Sequence, residues 1–486
     1  MKFKELTDEI IEKARQIYTD KNISWDNRML QLTDLFGRSE RTVRKWCSEK
    51  LGFKEKAEVE PEQYTQAKSR EFDKEKKRFI ITWAQNNTPV HTKFLKNIEK
   101  YAEFIEADIH VIAGRYKNPT SVWTNQQENE EFWDDRVVKY LDANRHDIHK
   151  YVSILSDIKI PPTAVNPMTG MQALSGVNSC VFGSPKVQME MIPVLDGNAP
   201  KMMLTTGAIT MQNYTDSKSG KVGEFHHTFG FVIVEIKDDE IFFVRQVTAD
   251  DNNGNFSDLC YRVENGSIKP IKSLEAIILG DLHCGHHDDK VLDTTIDMMN
   301  KMLPKHVILH DVFDGDSISH HQMKDPFVQY GKEVQGTNDL GKEIDNMMGV
   351  LDNFKHFDNV RQHATGGEVI GVIPELIKDR FPKFITLGRS ASYRVKDWEL
   401  GQHGDIGSNG SRGSLLQFRK LNTKIVVGHY HSPGRKDGAL AVGTSTKLRV
   451  GYNNGPSTWL QSHVIIHTDG RAQHINFING EYTTLG

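Results

Sequence analysis

The chain has 486 residues, more than one ordinary core needs and enough for two or three domains. Hydrophobic residues make up 37% and charged residues 26%, and no apolar run approaches the ~18 residues of a membrane span, so the pattern is that of a globular protein. A net charge of -4 offers no global attraction to nucleic acid, so any such binding has to come from local patches.

The chain opens on Met1-Lys2-Phe3-Lys4-Glu5, without an apolar signal core, and a cytoplasmic location is expected. Residues 1–58 predict a small helical module. Ile10, Ile11, Ala14 and Ile17 recur at helical spacing, and Leu32, Leu35 and Phe36 mark a second helix. Gly37-Arg38 is a turn, and Ser39 caps a third helix carrying Val43, Trp46 and Leu51. Two helices around a short glycine turn make a helix-turn-helix pattern. Seven basic residues and three acidic ones lie between Arg38 and Lys56. Arg41, Thr42, Arg44, Lys45 and Ser48 are therefore candidates to face DNA, the alternative being a protein-docking module with a solvated basic face. Residues 59–78 are densely charged and read as a linker.

Residues 79–270 predict a central α/β domain. Phe79 to Ala84 reads as a strand, Val90 to Ile105 as an amphipathic helix and Ile109 to Ala113 as a strand, which is a βαβ start. Gly230–Ile236 and Ile241–Val247 flank Lys237-Asp238-Asp239-Glu240 as a hairpin. No decisive catalytic motif appears. His226-His227 reads as structural or surface rather than as a metal or phosphate site.

Residues 271–486 carry the chemistry. Fifteen of the 21 histidines fall between His283 and His474, and imidazole is both a common metal ligand and an acid-base group. The strand Leu274–Leu279 runs into Gly280-Asp281-Leu282-His283, a helix covers Lys290 to Met302, and the strand His306–Leu309 runs into His310-Asp311-Val312-Phe313-Asp314. This βαβ unit sets Asp281 and Asp311 at the C-terminal ends of neighbouring parallel strands, the edge where open α/β sheets bind ligands. Trp398–Leu400 leads to His403, and Lys424–Val427 leads to Gly428-His429-Tyr430-His431. Residues two apart on a strand share a side, so Asp-x-His and His-x-His can aim at one point. Such mixed oxygen and imidazole donors suit manganese, iron or zinc better than calcium. The four cysteines, Cys47, Cys180, Cys260 and Cys284, are scattered without a CxxC pair, so no zinc ribbon or disulfide framework is expected.

Asp281-x-His283, Asp311-x-x-Asp314, His403 and Gly428-His429-x-His431 resemble the motifs of calcineurin-like metallophosphoesterases. The resemblance implies a C-terminal β-sandwich flanked by helices, so the whole reads as an α/β multidomain protein. It implies two divalent ions, manganese first, with iron or zinc open. Asp281, His283 and His431 would hold the first, Asp311 would bridge, and His403 and His429 would hold the second. Two departures stand out. His310 replaces the glycine usual before the bridging aspartate, and the family's Gly-Asn-His motif is missing, with Gln362-His363 in its neighbourhood. His363 is then the candidate general acid, with Asp314 beside it in the catalytic set.

Ile81–Val90, Gly223–Thr228 and His403–Gly410 also resemble phage proteins of the pre-early DNA-transfer type. Together these resemblances imply a phage-encoded, metal-dependent DNA phosphodiesterase acting in host-DNA degradation or DNA transfer. A phosphomonoesterase and an impaired DNA-binding or regulatory protein are the rival readings. Arg389, Arg412 and Arg435 lie near the motifs and are candidates to line the DNA path, the alternative being ordinary surface arginines. Related repair exonucleases pair up, so a homo-oligomer, dimer or larger, is expected by resemblance.

Overall fold

The computed structural model describes residues 6–20, 25–53, 75–118, 132–318, 327, 330–331, 339–363, 371–450 and 453–485. Most of the expected charged linker lies outside them. The protein is a multidomain α/β chain with several sheets and helices. Among the described residues no helix is long and apolar enough to cross a membrane.

The first module is three helices, Asp8–Thr19, Trp25–Phe36 and Glu40–Lys45, the last widening into a π-helical turn at Trp46–Lys50. Gly37 supplies the turn at φ 59°, a left-handed conformation that glycine adopts without a Cβ penalty. Ala14, Met29, Leu32, Phe36, Val43, Trp46, Cys47 and Phe53 form a core of their own. Phe36 and Trp46 meet edge-on, 5.7 Å between centroids.

From Arg78 the chain runs through β1 (Arg78–Gln85), the helix Thr92–Ile105, β2 (Asp108–Gly114), β3 (Leu141–Asp142), β4 (Arg145–His149), β5 (Val152–Leu155), β6 (Ser179–Phe182), β7 (Gln188–Ile192), β8 (Lys201–Thr205), β9 (Gly230–Ile236) and β10 (Phe242–Thr248). The short strands β11 (Phe256–Asp258), β12 (Tyr261–Glu264) and β13 (Ser267–Pro270) make an antiparallel ribbon. Then follow β14 (Ala276–Ile278), the helix Asp289–Met302, β15 (His306–Leu309), the helix Leu340–Asp352, β16 (Val360–His363), the helix Val372–Arg380, β17 (Ile385–Leu387), β18 (Arg394–Val395), β19 (Trp398–Glu399), the short helix Leu415–Arg419, β20 (Lys424–Val427), β21 (Gly434–Lys436), β22 (Ala439–Ala441), β23 (Ser462–Ile466) and β24 (Ala472–Asn476).

Three large sheets result: β10-β9-β1-β2-β3, β17-β16-β15-β14-β23-β24, and a ten-stranded sheet β18-β19-β20-β22-β21-β7-β8-β6-β5-β4. One end of the ten-stranded sheet faces the six-stranded sheet. Val426, Leu440 and Val442 pack there against Ile278, Ile308 and Val464. Its other end faces the five-stranded sheet, where Val181, Met202 and Leu204 meet Phe79, Ile81 and Val232. Helices cover the outer faces of the five- and six-stranded sheets: Phe94, Ile98 and Tyr101 on one, Val291, Met298, Met347 and Leu351 on the other.

The βαβ start, the 230–248 hairpin and the strands at 306–309 and 424–427 stand where the sequence places them. The ten-stranded sheet was not foreseen. Its β7 and β21 pair antiparallel, Met189 opposite Arg435 and Gln188 opposite Lys436, so hydrogen bonding runs across the division drawn at residue 270. Pairing between strands so far apart in sequence leaves no local pattern to read.

Candidate metal centre

Both parallel strands of the β14–helix–β15 unit deliver their acids as expected. Asp281 follows β14 and is fully buried, and Asp311 follows β15. One oxygen of Asp281 accepts the His429 backbone N–H at 2.7 Å and lies 3.0 Å from His431 Nε2. The close approach requires a glycine between them: a Cβ on Gly428 would fall 2.4 Å from Asp281 Oδ1.

Four site residues hold left-handed backbone that side-chain-bearing residues avoid: His283 (φ 38°), Asp311 (φ 47°), His429 (φ 73°) and His431 (φ 53°). Such strain persists only where the surroundings over-determine it, and it concentrates at functional sites. Here it turns each strand end sharply, so that the side chains converge. His283 Nε2 and His431 Nε2 come within 2.9 Å, and His283 Nε2 lies 3.3 Å from Asp311. Ligand atoms of Asp281, His283, Asp311 and His431 all lie within 4.8 Å of one another, and the same holds for Asp281, His310 and His403.

His310 is the residue the sequence reading missed. It was read only as a replacement for glycine; its position directly before Asp311 was the available signal. Its Nδ1 lies 3.1 Å from His403 Nδ1, and its Nε2 has no partner. His403 Nε2 and Asp281 Oδ1 are likewise buried without a hydrogen bond. His429 joins neither cluster among the described residues; its ring stands edge-on to His403 at 5.4 Å. Trp459, also not foreseen, packs edge-on to His431 at 4.1 Å.

Electrostatics divide the histidines. Burial, with the neighbouring rings of His363 and His403, holds His310 well below the ordinary imidazole value. Burial pulls His403 down to about 3 despite Asp281. Both are neutral bases with lone pairs to offer. His283 goes the other way. Burial disfavours its charge, but Asp311, Asp314 and Asp281 outweigh burial and hold it at about 9. Asp314 Oδ1 sits 2.7 Å from His283 Nδ1, the carboxylate-on-imidazole contact that fixes a ligating ring. A third group, His286, Asp314 and Asp316, lies at the more exposed side.

The arrangement passes the test for divalent cations on its own atoms. Three buried polar atoms lack a hydrogen-bond partner, two pairs of imidazole nitrogens face each other at hydrogen-bond distance, and the donors are mixed nitrogen and oxygen. A cation between such nitrogens satisfies both at once.

His363 stands behind this cluster. It is buried, its ring stacks on His310 at 4.4 Å and 2°, and its Nε2 lies 3.1 Å from the Leu400 carbonyl. Burial lowers it to about 4. Gln362 donates to Thr386. Residues 364–370, which complete the region of the missing motif, lie outside the described residues. Of the arginines expected along the path, Arg389 pairs with Asp405 at 3.2 Å and Arg412 is exposed. Arg435 corrects the expectation: it is buried within the ten-stranded sheet, its Nε on the Asp437 carbonyl.

The chain is similar to Protein A1 of Escherichia phage T5. The two are 29% identical over 464 residues, a match covering 84% of this chain and 83% of Protein A1. At that coverage the match is not confined to one half of the chain, and it supports a phage protein. No protein-family profile matches the chain, and no solved structure does.

In the first module, Arg41 and Lys45 are exposed one turn apart on the third helix. Arg44 pairs with Glu40 at 2.6 Å, Thr42 Oγ1 lies 3.0 Å from Ser39, and Ser48 donates to the Arg44 carbonyl. Two of the five DNA candidates, Arg41 and Lys45, are thus exposed, and the other three are half-buried. In the central segment, His227 lies between Tyr214 and the Thr210 carbonyl, and His226 sits 3.3 Å from Asp437, both structural placements.

Proposed function

We propose that the protein is a phage-encoded, metal-dependent DNA phosphodiesterase with a calcineurin-like C-terminal domain, acting in host-DNA degradation or DNA transfer. The observation that carries the reading is the strained convergence of Asp281, His283, Asp311 and His431 beside Asp281, His310 and His403. Asp281 belongs to both groups and Asp311 lies 3.7 Å from His403, so these two carboxylates would be available to a cation held by either group. Divalent ions held there supply electrostatic stabilisation to a phosphate ester and lower the pKa of an attacking water.

The chain's own groups do the rest. Asp314 fixes the His283 ring, Trp459 the His431 ring, and the Asp281 carboxylate anchors the His429 backbone. His310 and His403, kept neutral by burial, stay available as donors at neutral pH. The exposed Arg41 and Lys45 offer phosphate contacts remote from the chemistry in sequence, which suits a polymeric substrate.

The test is cleavage of plasmid and linear DNA with manganese by the natural chain, Asp281→Ala and His431→Ala. Cleavage abolished by both substitutions supports the reading. Hydrolysis of a phosphomonoester without DNA cleavage would replace it by the monoesterase reading. The engagement of Gln362 and His363 favours the binding-protein reading, because the Gln362 amide nitrogen and His363 Nε2 contact protein groups, Thr386 and the Leu400 carbonyl. Folded, manganese-loaded protein that binds DNA and cleaves neither substrate would establish that third reading.

A further inference from the structure

The segments 78–248 and 276–476 repeat one plan. β1 and β2 are parallel and joined by a helix of 14 residues, as are β14 and β15. Each helix stops on a left-handed residue, Glu106 (φ 56°) and Leu303 (φ 46°). β1 then pairs antiparallel with β9, which pairs with β10; β14 pairs antiparallel with β23, which pairs with β24. Within the ten-stranded sheet, β4-β5-β6-β8-β7 meets β18-β19-β20-β22-β21 head to head. Successive pairs in both runs are antiparallel, parallel, parallel and antiparallel.

Single bridges fix the correspondence to the residue. Trp83 bridges Ala208 as Asp281 bridges Thr444, Ala208 bridges Phe229 as Thr444 bridges Gln461, and Val90 bridges Thr210 as His287 bridges Thr446, each in the same sense. Trp83 therefore stands where Asp281 stands, and Gln85 where His283 stands. The parallel registers set Ile112 at the place of Asp311, and Gly183, Ser184 and Lys186 at the places of Gly428, His429 and His431. A contact checks this: a Cβ on Gly183 would fall 2.5 Å from Trp83, as one on Gly428 would fall 2.4 Å from Asp281. The seam agrees too. Met189 and Arg435 face each other across it, and each faces the equivalent leucine, Leu204 and Leu440, on its other side. Equivalent residues meet only on a twofold axis.

We infer that residues 78–248 are a second copy of the metal-centre fold whose ligand positions have been replaced, so that it serves as a non-catalytic partner built into the same chain. No carboxylate or imidazole remains at Trp83, Gln85, Ile112, Ser184 or Lys186. Gln85 instead donates its amide to the Asn213 carbonyl at 2.7 Å, and Lys186 donates to the Ala164 carbonyl at 2.5 Å. The backbone strain has gone with the ligands: none of these five positions has a left-handed φ, whereas four of the ligand-bearing positions do. Strain kept in one copy and relaxed in the other is what loss of a functional constraint leaves behind. The partner copy still extends the sheet, because β7 covers the β21 edge beside the His429–His431 turn.

The inference rests on topology and not on nuclease activity, so its test reads metal. In the full chain, Gln85→His with Lys186→His puts imidazoles at the places of His283 and His431, whose Nε2 atoms are 2.9 Å apart. Nickel binding by equilibrium dialysis is then expected about a hundredfold tighter in the double variant than in either single one, by the chelate effect. A folded double variant that binds no better than the singles would overturn the correspondence. Should the pair fail to fold, the natural chain decides the second half of the claim. Asp281→Asn, folded as judged by its melting in EDTA, should lose all tightly held manganese, and one retained ion that Gln85→Ala then releases would overturn an inert copy. If the natural C-terminal site holds no manganese, the proposed function fails while the nickel result still stands.

Discussion

Gly428→Ala is the sharpest perturbation of the centre, because one methyl group is added and no ligand is removed. An alanine Cβ at 428 would stand 2.4 Å from Asp281 Oδ1 and 2.7 Å from His310 Cγ, inside any real carbon contact. Asp281 cannot yield freely, since its other oxygen holds the His429 N–H at 2.7 Å, and His310 is clamped between His363 and His403. Overpacking of this kind costs about 1–3 kcal/mol. The shift of ligand and supporting contacts should weaken metal binding by about 10–100-fold. Gly438→Ala is the control, its nearest neighbours being Lys424 atoms at 3.6 Å or beyond, and it should change stability by less than about 0.5 kcal/mol. Urea denaturation in EDTA reads the first quantity and manganese titration the second. Natural metal affinity in folded Gly428→Ala would refute the argument that this glycine exists to admit Asp281.

Cation binding should release a proton from His283, whose ring is held at about 9 in the metal-free protein and must be neutral to ligate. Affinity should therefore rise about tenfold per pH unit through neutrality and level off above the ring's pKa, and calorimetry in two buffers of different ionisation enthalpy counts the proton. Arg245 joins Glu235 and Asp258, all three buried. Arg245→Ala leaves two acids uncompensated and should cost about 3–5 kcal/mol in urea denaturation, while a loss below about 1 kcal/mol would mean water reaches them. Replacing both Arg41 and Lys45 with alanine should lower the salt slope of DNA binding by about 2, and an unchanged slope would move DNA contact away from the first module.

How much was legible follows from how local each signal is. Asp281, His283, Asp311, His403 and His431 come together because Asp281, His283 and Asp311 follow the parallel neighbours β14 and β15, His403 and His431 follow the parallel neighbours β19 and β20, and the two sheets pack face to face. His310 was discounted because a departure from a family pattern reads first as a loss. The structure makes it a gain, a buried donor beside His403. His363 carried the right residue type at a plausible place, but whether an imidazole reaches a leaving group depends on which carbonyl holds it, and Leu400 is 37 residues away.

The central segment was opaque for a deeper reason. Motif reading detects ligands, and none stands at Trp83, Gln85, Ile112, Ser184 or Lys186, so Trp83, Gln85 and Ile112 look like ordinary core residues. Only strand order reveals what they replaced. That difference also says which constraints act on each half. In the C-terminal half, left-handed histidines and unpartnered buried atoms cost stability that a packed core would avoid, so something other than stability keeps them. In the central half the corresponding positions have no left-handed backbone and are packed or hydrogen-bonded, Gln85 through its amide nitrogen although its Oε1 stays without a partner. A substitution at Trp83 should accordingly behave as a core mutation, costing about 3–5 kcal/mol as alanine. Equilibrium unfolding measures that cost, and manganese affinity per folded molecule should not change. A Trp83→Ala protein that folds normally but loses manganese would mean that the central half reaches the metal directly.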